Sequence, residues 1–420
     1  METGATVIKS ICFAVIATVF LLISLSSTAW SLNSIKIRSE DIRPNIYLKV
    51  TSNRVVTNKG QTFIPEGISI YGGLEDPNYM ANIPNVNAQI EAAAKYWHTN
   101  TIRLQVAESN LFSNITPGRN YNVQFLNELK REVNLARQLN QVVVINDQTE
   151  FTSNFPSPTA ATVKFWQVMS NVYGNDPYII FDLFNEPRLD GYNSYNHLQT
   201  IHPVINLFET RRSHHAHHVH IRLMSKNLIW DTWKYGGKIS GVSYVGMQTL
   251  VNKIRGWGVN NIIWVESPFW GQKLPPANSY LISGSNIVYS YHHINLNNPT
   301  SWQTIGKFAG LHAVVDGEWS QYQSPWAECY SRAPFTTSKY LQYLKSINVG
   351  MIAWSLQSGS LIKGNQHIIP SNTNSSIDPK KPVRLRTPSK FWHHYRCNSL
   401  FGHGAGQLIK QYFKQNSVKI

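Results

Sequence analysis

The 420-residue sequence predicts an α/β fold, a (β/α)8 barrel of the TIM type, and three observations lead to it. Short apolar runs recur along the chain, and stretches with helical periodicity separate most of them. The runs are continuously apolar rather than alternating, which is typical of parallel strands covered by helices on both faces. Eight such runs are present, the number that closes a barrel.

The predicted elements follow one another in strand–helix order. The strands span residues 67–71, 101–106, 142–146, 179–184, 261–266, 287–291, 313–316 and 351–355. The helices span 88–97, 123–139, 160–173, 244–256, 302–309 and 337–347, and a final helix at about 406–414 would close the barrel. Pro275 and Pro276 argue against a long helix between strands five and six.

A short β-hairpin is expected ahead of the first barrel strand. Residues 47–56 and 61–64 are rich in strand-forming side chains, and they flank the turn residues Asn58, Lys59 and Gly60. The predicted barrel domain therefore covers residues 45–420.

The N-terminus has the composition of a secretory signal peptide. Lys9 precedes an apolar run from Ile11 to Leu25, and small residues follow up to Ala29. The run is short of the roughly 20 residues that span a membrane. We therefore expect residues 1–29 to be removed from a secreted protein that keeps no stable membrane association, with a signal anchor as the alternative.

Two cysteines, Cys329 and Cys397, would remain after that cleavage. An even number of cysteines in an oxidising compartment suggests one disulfide, and two buried thiols are the alternative.

A long insertion is predicted after strand four, from Leu189 to about Lys226, because this stretch lacks the periodicity around it. It contains a histidine cluster between His214 and His220. Zinc or copper binding, a mobile loop and a gene-model error all stay open, with a mobile loop favoured over a metal site. The insertion could also cover the mouth of the barrel.

The net charge of +15 and the isoelectric point near 9.6 predict a basic surface. The sequence has no nucleic-acid-binding motif and no dense run of Lys and Arg, so nucleic acid is not expected as a partner. Loose attraction to an acidic extracellular matrix or wall is compatible with the charge.

Polar residues stand where the predicted strands end, the edge at which such barrels carry their active sites. Glu186 ends strand four and Glu318 ends strand seven, so the two glutamates would face each other across the mouth. Hydrolysis of a glycosidic bond uses two carboxyl groups: one protonates the leaving oxygen, and the other attacks the anomeric carbon or activates water. A separation of about 5–5.5 Å gives retention, and about 6.5–9.5 Å gives inversion.

Two motifs carry a family resemblance. Asn185-Glu186-Pro187 and Gly317-Glu318-Trp319, each following an apolar strand, resemble the motifs of glycoside hydrolase family 5, the cellulase-type barrel glycosidases of clan A. The Asn-Glu-Pro triplet alone is a weak signal. Its combination with the later glutamate in the correct strand order is specific, and the resemblance covers residues 45–356 and resumes at 404–415.

The resemblance implies a role for each matching residue. Glu186 would be the acid/base and Glu318 the nucleophile, which must stay ionised. Arg103, on strand two, is suited to hold that charge by a charge-assisted hydrogen bond, and Asn185 would bind the sugar 2-hydroxyl. A structural salt-bridge role for Arg103 stays open.

The resemblance also assigns two residues on later strands. His292 would support the polar network of the site, and Trp354 would form a platform under the sugar that is cleaved. A structural histidine and a core tryptophan are the alternatives.

Two departures from the family pattern leave the substrate class open. Asn146 and Asp147 stand where many members have a histidine at the end of strand three, and Ile294 stands where many have a tyrosine. Tyr291 or His293 would then supply the hydrogen bond to the nucleophile that the tyrosine provides.

Taken with the resemblance, the residues predict a retaining endo-hydrolase of a β-1,4-linked polysaccharide, acting by double displacement. A cellulose-like glucan is the first candidate, and mannan or another β-glycan comes next. We expect a monomer that needs no cofactor or metal. A catalytically impaired carbohydrate-binding barrel and a membrane-anchored interaction protein are the competing classes.

Overall fold

Eight parallel strands close into a barrel in the computed structural model, as the sequence predicts. Each strand pairs with the next barrel strand in chain order, and the last pairs back to the first. The structure describes residues 47–149, 156–189, 226–239, 241–293, 299–319, 333–356, 361 and 406–418. The predicted signal peptide, the histidine cluster, Cys329 and Cys397 lie outside the described residues.

The elements are numbered here in chain order. The barrel strands are β3 (Glu66–Ile70), β4 (Thr101–Val106), β5 (Val142–Asp147), β6 (Ile179–Asp182), β9 (Ile263–Glu266), β10 (Ile287–His293), β11 (Val314–Trp319) and β12 (Gly350–Ala353). Two antiparallel hairpins lie outside the barrel: β1 (Leu48–Thr51) with β2 (Arg54–Thr57), and β7 (Gly236–Ile239) with β8 (Val242–Val245).

The helices occupy the connections between strands. They are α1 (Tyr79–Lys95), α2 (Glu108–Phe112), α3 (Val123–Gln138), α4 (Ala160–Tyr173), α5 (Lys226–Tyr235), α6 (Met247–Gly256), α7 (Pro299–Ala309), α8 (Ala333–Ser346) and α9 (Gly406–Asn416). None of these described helices is long and apolar enough to cross a membrane.

The predicted start of α4 is accurate because local capping chemistry marks it. Thr159 caps α4, since its hydroxyl accepts from the Ala161 N–H while its own N–H donates to Thr162. Helix α1 begins nine residues before the predicted start at residue 88, and Pro84 lies inside it. Proline usually ends or kinks a helix, which is why the sequence placed the start after it.

The connection from β9 to β10 contains a single 3-10 turn, Asn278–Tyr280, and no α-helix. The two prolines ahead of that turn predicted this break in the strand–helix order.

The N-terminal hairpin is present, but most of its strand pairing joins β1 to β2 and not the two segments predicted to flank residues 58–60. The turn at Asn58–Gly60 joins strands that share the isolated bridge Val56↔Thr62, and Gly60 has the φ of +77° that favours glycine. The longer ladder is β1 with β2. Val55 of β2 and Phe63 pack into the cluster described next.

Side chains that point into the barrel form two layers. The lower layer, toward the amino ends of the strands, belongs to a hydrophobic cluster that includes no helical residue. This cluster therefore lies inside the barrel rather than between the barrel and the helices. Its strand and strand-flanking members are Val142, Val144, Ile180, Ile262, Trp264, Val288, Val315 and Ile352. Alternate residues of the same strands pack outward against the helices.

Toward the carboxyl ends of the strands, the inward positions become polar. The buried polar residues there include Ser69, Arg103, Asn146, Asp182, Glu266, Ser290 and His292. An apolar floor below and a polar layer above place the chemistry at the C-terminal face of the barrel.

The interior is tight where β3 meets its neighbours. A Cβ added at Gly67 would lie 2.4 Å from the Thr101 carbonyl oxygen and 2.8 Å from Cδ1 of Ile352. We expect Gly67→Ala to lower the free energy of unfolding by about 1–3 kcal/mol, because the backbone of β4 must shift. Urea unfolding measures the change. Gly256→Ala, at a helix position with nothing within 4 Å of the added Cβ, is the matched control and is expected to be neutral or slightly stabilising; equal losses in both variants would contradict the account.

Candidate active site

The guanidinium of Arg103 lies at the centre of the polar layer and is fully buried. Its Nε donates to Oδ2 of Asp182 at 2.9 Å, and its Nη1 donates to Oε2 of Glu318 at 3.0 Å. Its Nη2 donates to Oδ1 of Asn185 at 2.6 Å and to Oε1 of Glu266 at 2.9 Å. One side chain therefore ties together the ends of β6, β9 and β11.

Glu186 sits on a turn directly after β6 in an uncommon conformation. Its φ is +45°, a region that non-glycine residues enter at a cost of about 1–3 kcal/mol. Its N–H donates to Oε2 of Glu266 at 2.6 Å. The carbonyl of the next residue, Pro187, accepts from the N–H groups of Phe269 and Trp270 at 3.1 and 3.2 Å. The turn is thus held from the end of β9 and the loop that follows it.

His292 lies on β10, and its imidazole ring lies between two carboxylates. Its Nδ1 lies 3.0 Å from Oε1 of Glu186, and its Nε2 lies 3.2 Å from Oε1 of Glu266. Burial opposes the charged imidazolium, but these two carboxylates outweigh burial and raise the pKa of His292 well above its ordinary value. The side chain also packs on Gly271, where a Cβ would lie 2.9 Å from the ring.

The two predicted catalytic glutamates meet at the mouth of the barrel. One oxygen of Glu186, one ring nitrogen of His292 and one oxygen of Glu318 all lie within 4.8 Å of one another. The side chains of Glu186 and Glu318 are 13% and 15% exposed, whereas Arg103, His292 and Glu266 are not exposed at all. The pair is therefore open to a ligand while the residues that hold it are closed off.

Glu318 has an unusual affinity for protons. Burial raises its pKa to about 7, the neighbouring Glu186 and Glu266 add to the rise, and His292 and Arg103 oppose it. The stabilising effect of Arg103 that the sequence predicts is present, but it does not dominate. The physical reason is that the single guanidinium charge is shared among three carboxyl groups.

Trp354 directly follows β12 and is partly exposed, as a sugar platform requires. The backbone N–H of Trp354 donates to the carbonyl of Trp319. Its ring packs against the ring of Tyr71, with the centroids 4.8 Å apart and the ring planes at 48°. Burial, Glu75, Asp76 and Glu318 raise the pKa of Tyr71 to about 12, so the charge of Glu318 acts on this hydroxyl. The sequence reasoning missed Tyr71 because an aromatic residue at a strand end is common in a core.

Tyr291 lies on the opposite side of β10 from His292. It pairs in register with Asp316, whose Oδ2 accepts from the hydroxyl of Tyr340 on α8 at 2.6 Å. Tyr291 therefore lies between the barrel and the helices, away from the glutamate pair. Ile294 and the side chain of His293 lie outside the described part of the chain.

Asn146 occupies the position where the family pattern has a histidine, and its side chain is part of the network. Its Nδ2 donates to Oδ2 of Asp182 at 3.1 Å, so both Asn146 and Arg103 bind the same carboxylate oxygen. Burial raises the pKa of Asp182 to about 7, Glu266 adds to it, and Arg103 and His292 oppose it.

The sequence reasoning did not single out Glu266 or Asp182. Each ends a buried strand, and a carboxylate that closes a run of apolar residues is the signal that could have found both.

Trp270 lies beside the turn of Glu186 and is partly exposed. The guanidinium of Arg188 lies 4.4 Å from its ring centroid, a cation–π arrangement. Trp319, by contrast, is fully buried in the outer core.

Glu186, His292 and Glu318 are also the set of described side chains that could hold a metal ion. Both ring nitrogens of His292 already face carboxylates, and its raised pKa keeps it protonated. A protonated imidazole has no lone pair for a metal. The arrangement thus fits proton transfer better than metal binding, and independence from a cofactor stays a prediction.

A parallel eight-stranded barrel with a glutamate at the mouth from its fourth and seventh strands defines the class of barrel glycosidases. Comparison of the sequence with family models gives a match over residues 56–360 to the model described as Cellulase (glycosyl hydrolase family 5). The chain belongs to this family, which confirms the resemblance predicted from its motifs.

Solved structures share the barrel. A β-glucanase from Saccharophagus degradans, in complex with cellotetraose, is 16% identical with a TM-score of 0.54, covering 89% of this chain and 94% of that one. The catalytic domain of an endoglucanase from Thermobifida fusca, also with cellotetraose, is 11% identical with a TM-score of 0.53, covering 88% and 97%. A β-mannanase from Thermomonospora fusca is 14% identical with a TM-score of 0.47, covering 77% and 86%. No curated protein matches the chain.

The stability of the network depends on burial. Asp182→Ala would leave Nε of Arg103 and Nδ2 of Asn146 without their buried acceptor, and we expect it to lower the free energy of unfolding by about 3–5 kcal/mol. Asp176→Ala is the matched control, because Asp176 pairs with Arg137 at 2.8 Å near the surface. Its loss is expected to cost about 1–2 kcal/mol. Urea unfolding of both variants decides the comparison, and a cost for Asp182→Ala no larger than for Asp176→Ala would contradict it.

Proposed function

We propose that this protein is a retaining, endo-acting hydrolase of β-1,4-linked polysaccharide, with a cellulose-like glucan as the first candidate substrate and mannan or another β-glycan next. The single observation that carries the proposal is the approach of Glu186 and Glu318, whose nearest oxygens lie within 4.8 Å. This approach supports the shorter carboxyl separation of about 5–5.5 Å, at which retaining glycosidases act, over the about 6.5–9.5 Å of inverting ones.

In the first step, a carboxylate oxygen of Glu318 attacks the anomeric carbon while Glu186 donates its proton to the glycosidic oxygen. The bond between that carbon and that oxygen breaks, the leaving chain departs with the proton, and the sugar is esterified to Glu318. In the second step, Glu186 takes a proton from water, the water oxygen attacks the anomeric carbon, and Glu318 is released.

The mechanism requires that one carboxyl group of the pair is protonated while the other is ionised. A buried pair of interacting carboxyl groups loses its protons in two steps that belong to the pair. Arg103 and His292 favour the charged form of Glu318 against the effect of burial, and double displacement requires that the proton of the pair lie on Glu186. The same arrangement therefore supports opposite roles for two residues of one type.

The sugar that is cleaved would be held by groups around the pair. Asn185, oriented by its hydrogen bond from Arg103, would bind the 2-hydroxyl, and the ring pair of Trp354 with Tyr71 would supply an apolar surface for the sugar. Two structures with this barrel were solved with cellotetraose, which supports placing a glucan first.

The sequence supports a secreted location for this activity. The charged, apolar and small-residue order of residues 1–29 is that of a cleaved signal peptide. We propose a secreted monomer that acts on polysaccharide without a cofactor, a nucleic-acid partner or a membrane anchor.

Carboxamide variants of the pair test the assignment. On soluble β-glucan, mannan and xylan, Glu186→Gln is expected to lower the rate by about 10²–10⁴-fold through loss of general acid catalysis. Glu318→Gln is expected to reduce it to background, because no nucleophile remains. Glu132→Gln, which neutralises a fully buried carboxyl on α3 outside the site, is the control and should keep wild-type rates.

Product analysis on the same panel separates the possible outcomes. Retention predicts that the first anomer released, followed by proton NMR, is β. An α-anomer released first would establish inversion, and normal turnover by Glu318→Gln would overturn the site assignment. Retarded migration in affinity gels containing polysaccharide, without release of reducing sugar, would identify a binding protein instead.

The pH dependence follows from the raised pKa of Glu318. As pH rises through about 7, the pair loses its last proton and two charged carboxylates remain, so no proton is available for the leaving oxygen. We expect kcat/KM to fall about tenfold per pH unit above that point. A pH–rate profile measures this fall, and activity that stays constant to pH 9 would contradict it.

A further inference from the structure

Glu266, at the end of β9, takes no part in the proposed chemistry, yet three groups of the site converge on its carboxylate. Its Oε2 accepts from the N–H of Glu186 at 2.6 Å, and its Oε1 accepts from Nη2 of Arg103 at 2.9 Å. The same Oε1 lies 3.2 Å from Nε2 of His292. The side chain is completely buried.

We propose that Glu266 is a positioning residue for the catalytic pair: it fixes the main chain of Glu186 in its left-handed turn and holds His292 against the acid/base carboxyl. The proposal rests on the proposed function, since it concerns the geometry of that same site.

The topology explains why this position is suited to the task. Strand β9 lies between β6, which leads into Glu186, and β10, which carries His292. A carboxylate at the end of the middle strand reaches both neighbours. An acidic residue is required because all three contacting groups are N–H donors, two of them from charged side chains.

The turn at Glu186 depends on such an acceptor. A φ of +45° in a non-glycine residue persists only where the surroundings hold it. The short hydrogen bond from the N–H of Glu186 to a buried carboxylate supplies that restraint. Because the turn sets where the Glu186 side chain begins, a change of its backbone changes the distance to Glu318.

Glu266 also controls the charges around the pair. Burial disfavours its ionised form, but His292, Arg103 and the N–H of Glu186 lower its pKa overall, so the carboxylate stays charged. That charge helps to keep His292 protonated, and it adds to the rise in the pKa of Glu318. Among the described residues, the charged groups facing Glu266 are Arg103 from β4, Asp182 from β6, Glu186, His292 from β10 and Glu318 from β11.

Glu266→Gln tests the proposal with little change of shape. One carbonyl oxygen must then serve three donors, so kcat is expected to fall about 10–100-fold through misplacement of Glu186, with KM within about twofold. Removal of the negative charge lowers the pKa of Glu318, so the alkaline limb of the pH–rate profile should move to lower pH. A purely structural role would lower the yield of folded enzyme without moving that limb.

Two further variants complete the test. Glu266→Asp keeps the charge but shortens the reach to the Glu186 N–H, so kcat should fall while the pH profile stays in place. Glu132→Gln removes a buried carboxyl elsewhere and should leave kcat and the profile unchanged. Wild-type kcat and an unmoved profile in Glu266→Gln, or wild-type kcat in Glu266→Asp if the first variant does not fold, would overturn the proposal.

An NMR titration of the His292 imidazole, assigned by its loss in His292→Gln, separates this inference from the proposed function. The ring should titrate at lower pH in Glu266→Gln than in the wild type, whether or not any glycan is cleaved. An unchanged titration overturns the role of Glu266, whereas absence of glycan hydrolysis by the wild type overturns the proposed function alone.

Discussion

The architecture of the site depends on one buried cation. Arg103 places a permanent charge inside the barrel, where an uncompensated ion would cost several kcal/mol. Asp182, Glu266 and Glu318 surround it, and Glu186 with His292 extends the cluster to the surface. The two cations are outnumbered by four carboxyl groups, and burial disfavours the excess negative charge. Burial and the neighbouring carboxylates accordingly raise the pKa of both Asp182 and Glu318 to about 7.

The barrel separates this electrostatic cluster from an ordinary hydrophobic core. Aliphatic side chains and Trp264 fill the lower interior, and the polar layer begins one inward position further along β5, β6, β9 and β10. The floor keeps water from reaching the cluster from below, so the mouth is the face at which Glu186 and Glu318 gain their partial exposure. A low dielectric beneath the pair strengthens every interaction in the cluster.

The sequence predicted the parts of the structure that repeat. All eight strands and the identity of the facing glutamates follow from apolar runs and the polar residues that end them. The prediction was weaker where it had to state which of two neighbouring side chains points into the barrel. Tyr291 and His292 are neighbours, but alternation along β10 and the irregularity between them put one against the helices and the other in the site. Sequence spacing cannot show which neighbour turns inward.

Residues that act through others were also hard to find from sequence. Glu266 has no motif around it, and its role becomes visible only when β6, β9 and β10 are adjacent. Tyr71 ends the first barrel strand but approaches Glu318 of the seventh because the barrel closes. The start of α1 was misplaced for a local reason, since proline is a strong stop signal that tertiary packing overrode.

The loop after β9 contains three consecutive residues with left-handed backbone, Phe269, Trp270 and Gly271. It binds the carbonyl of Pro187 on one side and leaves no space for a larger residue than glycine under His292 on the other. A side chain at position 271 would therefore displace the His292 ring and strain the backbone. We therefore expect differences in the proposed glycan specificity to arise at the ring pair of Tyr71 and Trp354, which follows β3 and β12 rather than β9.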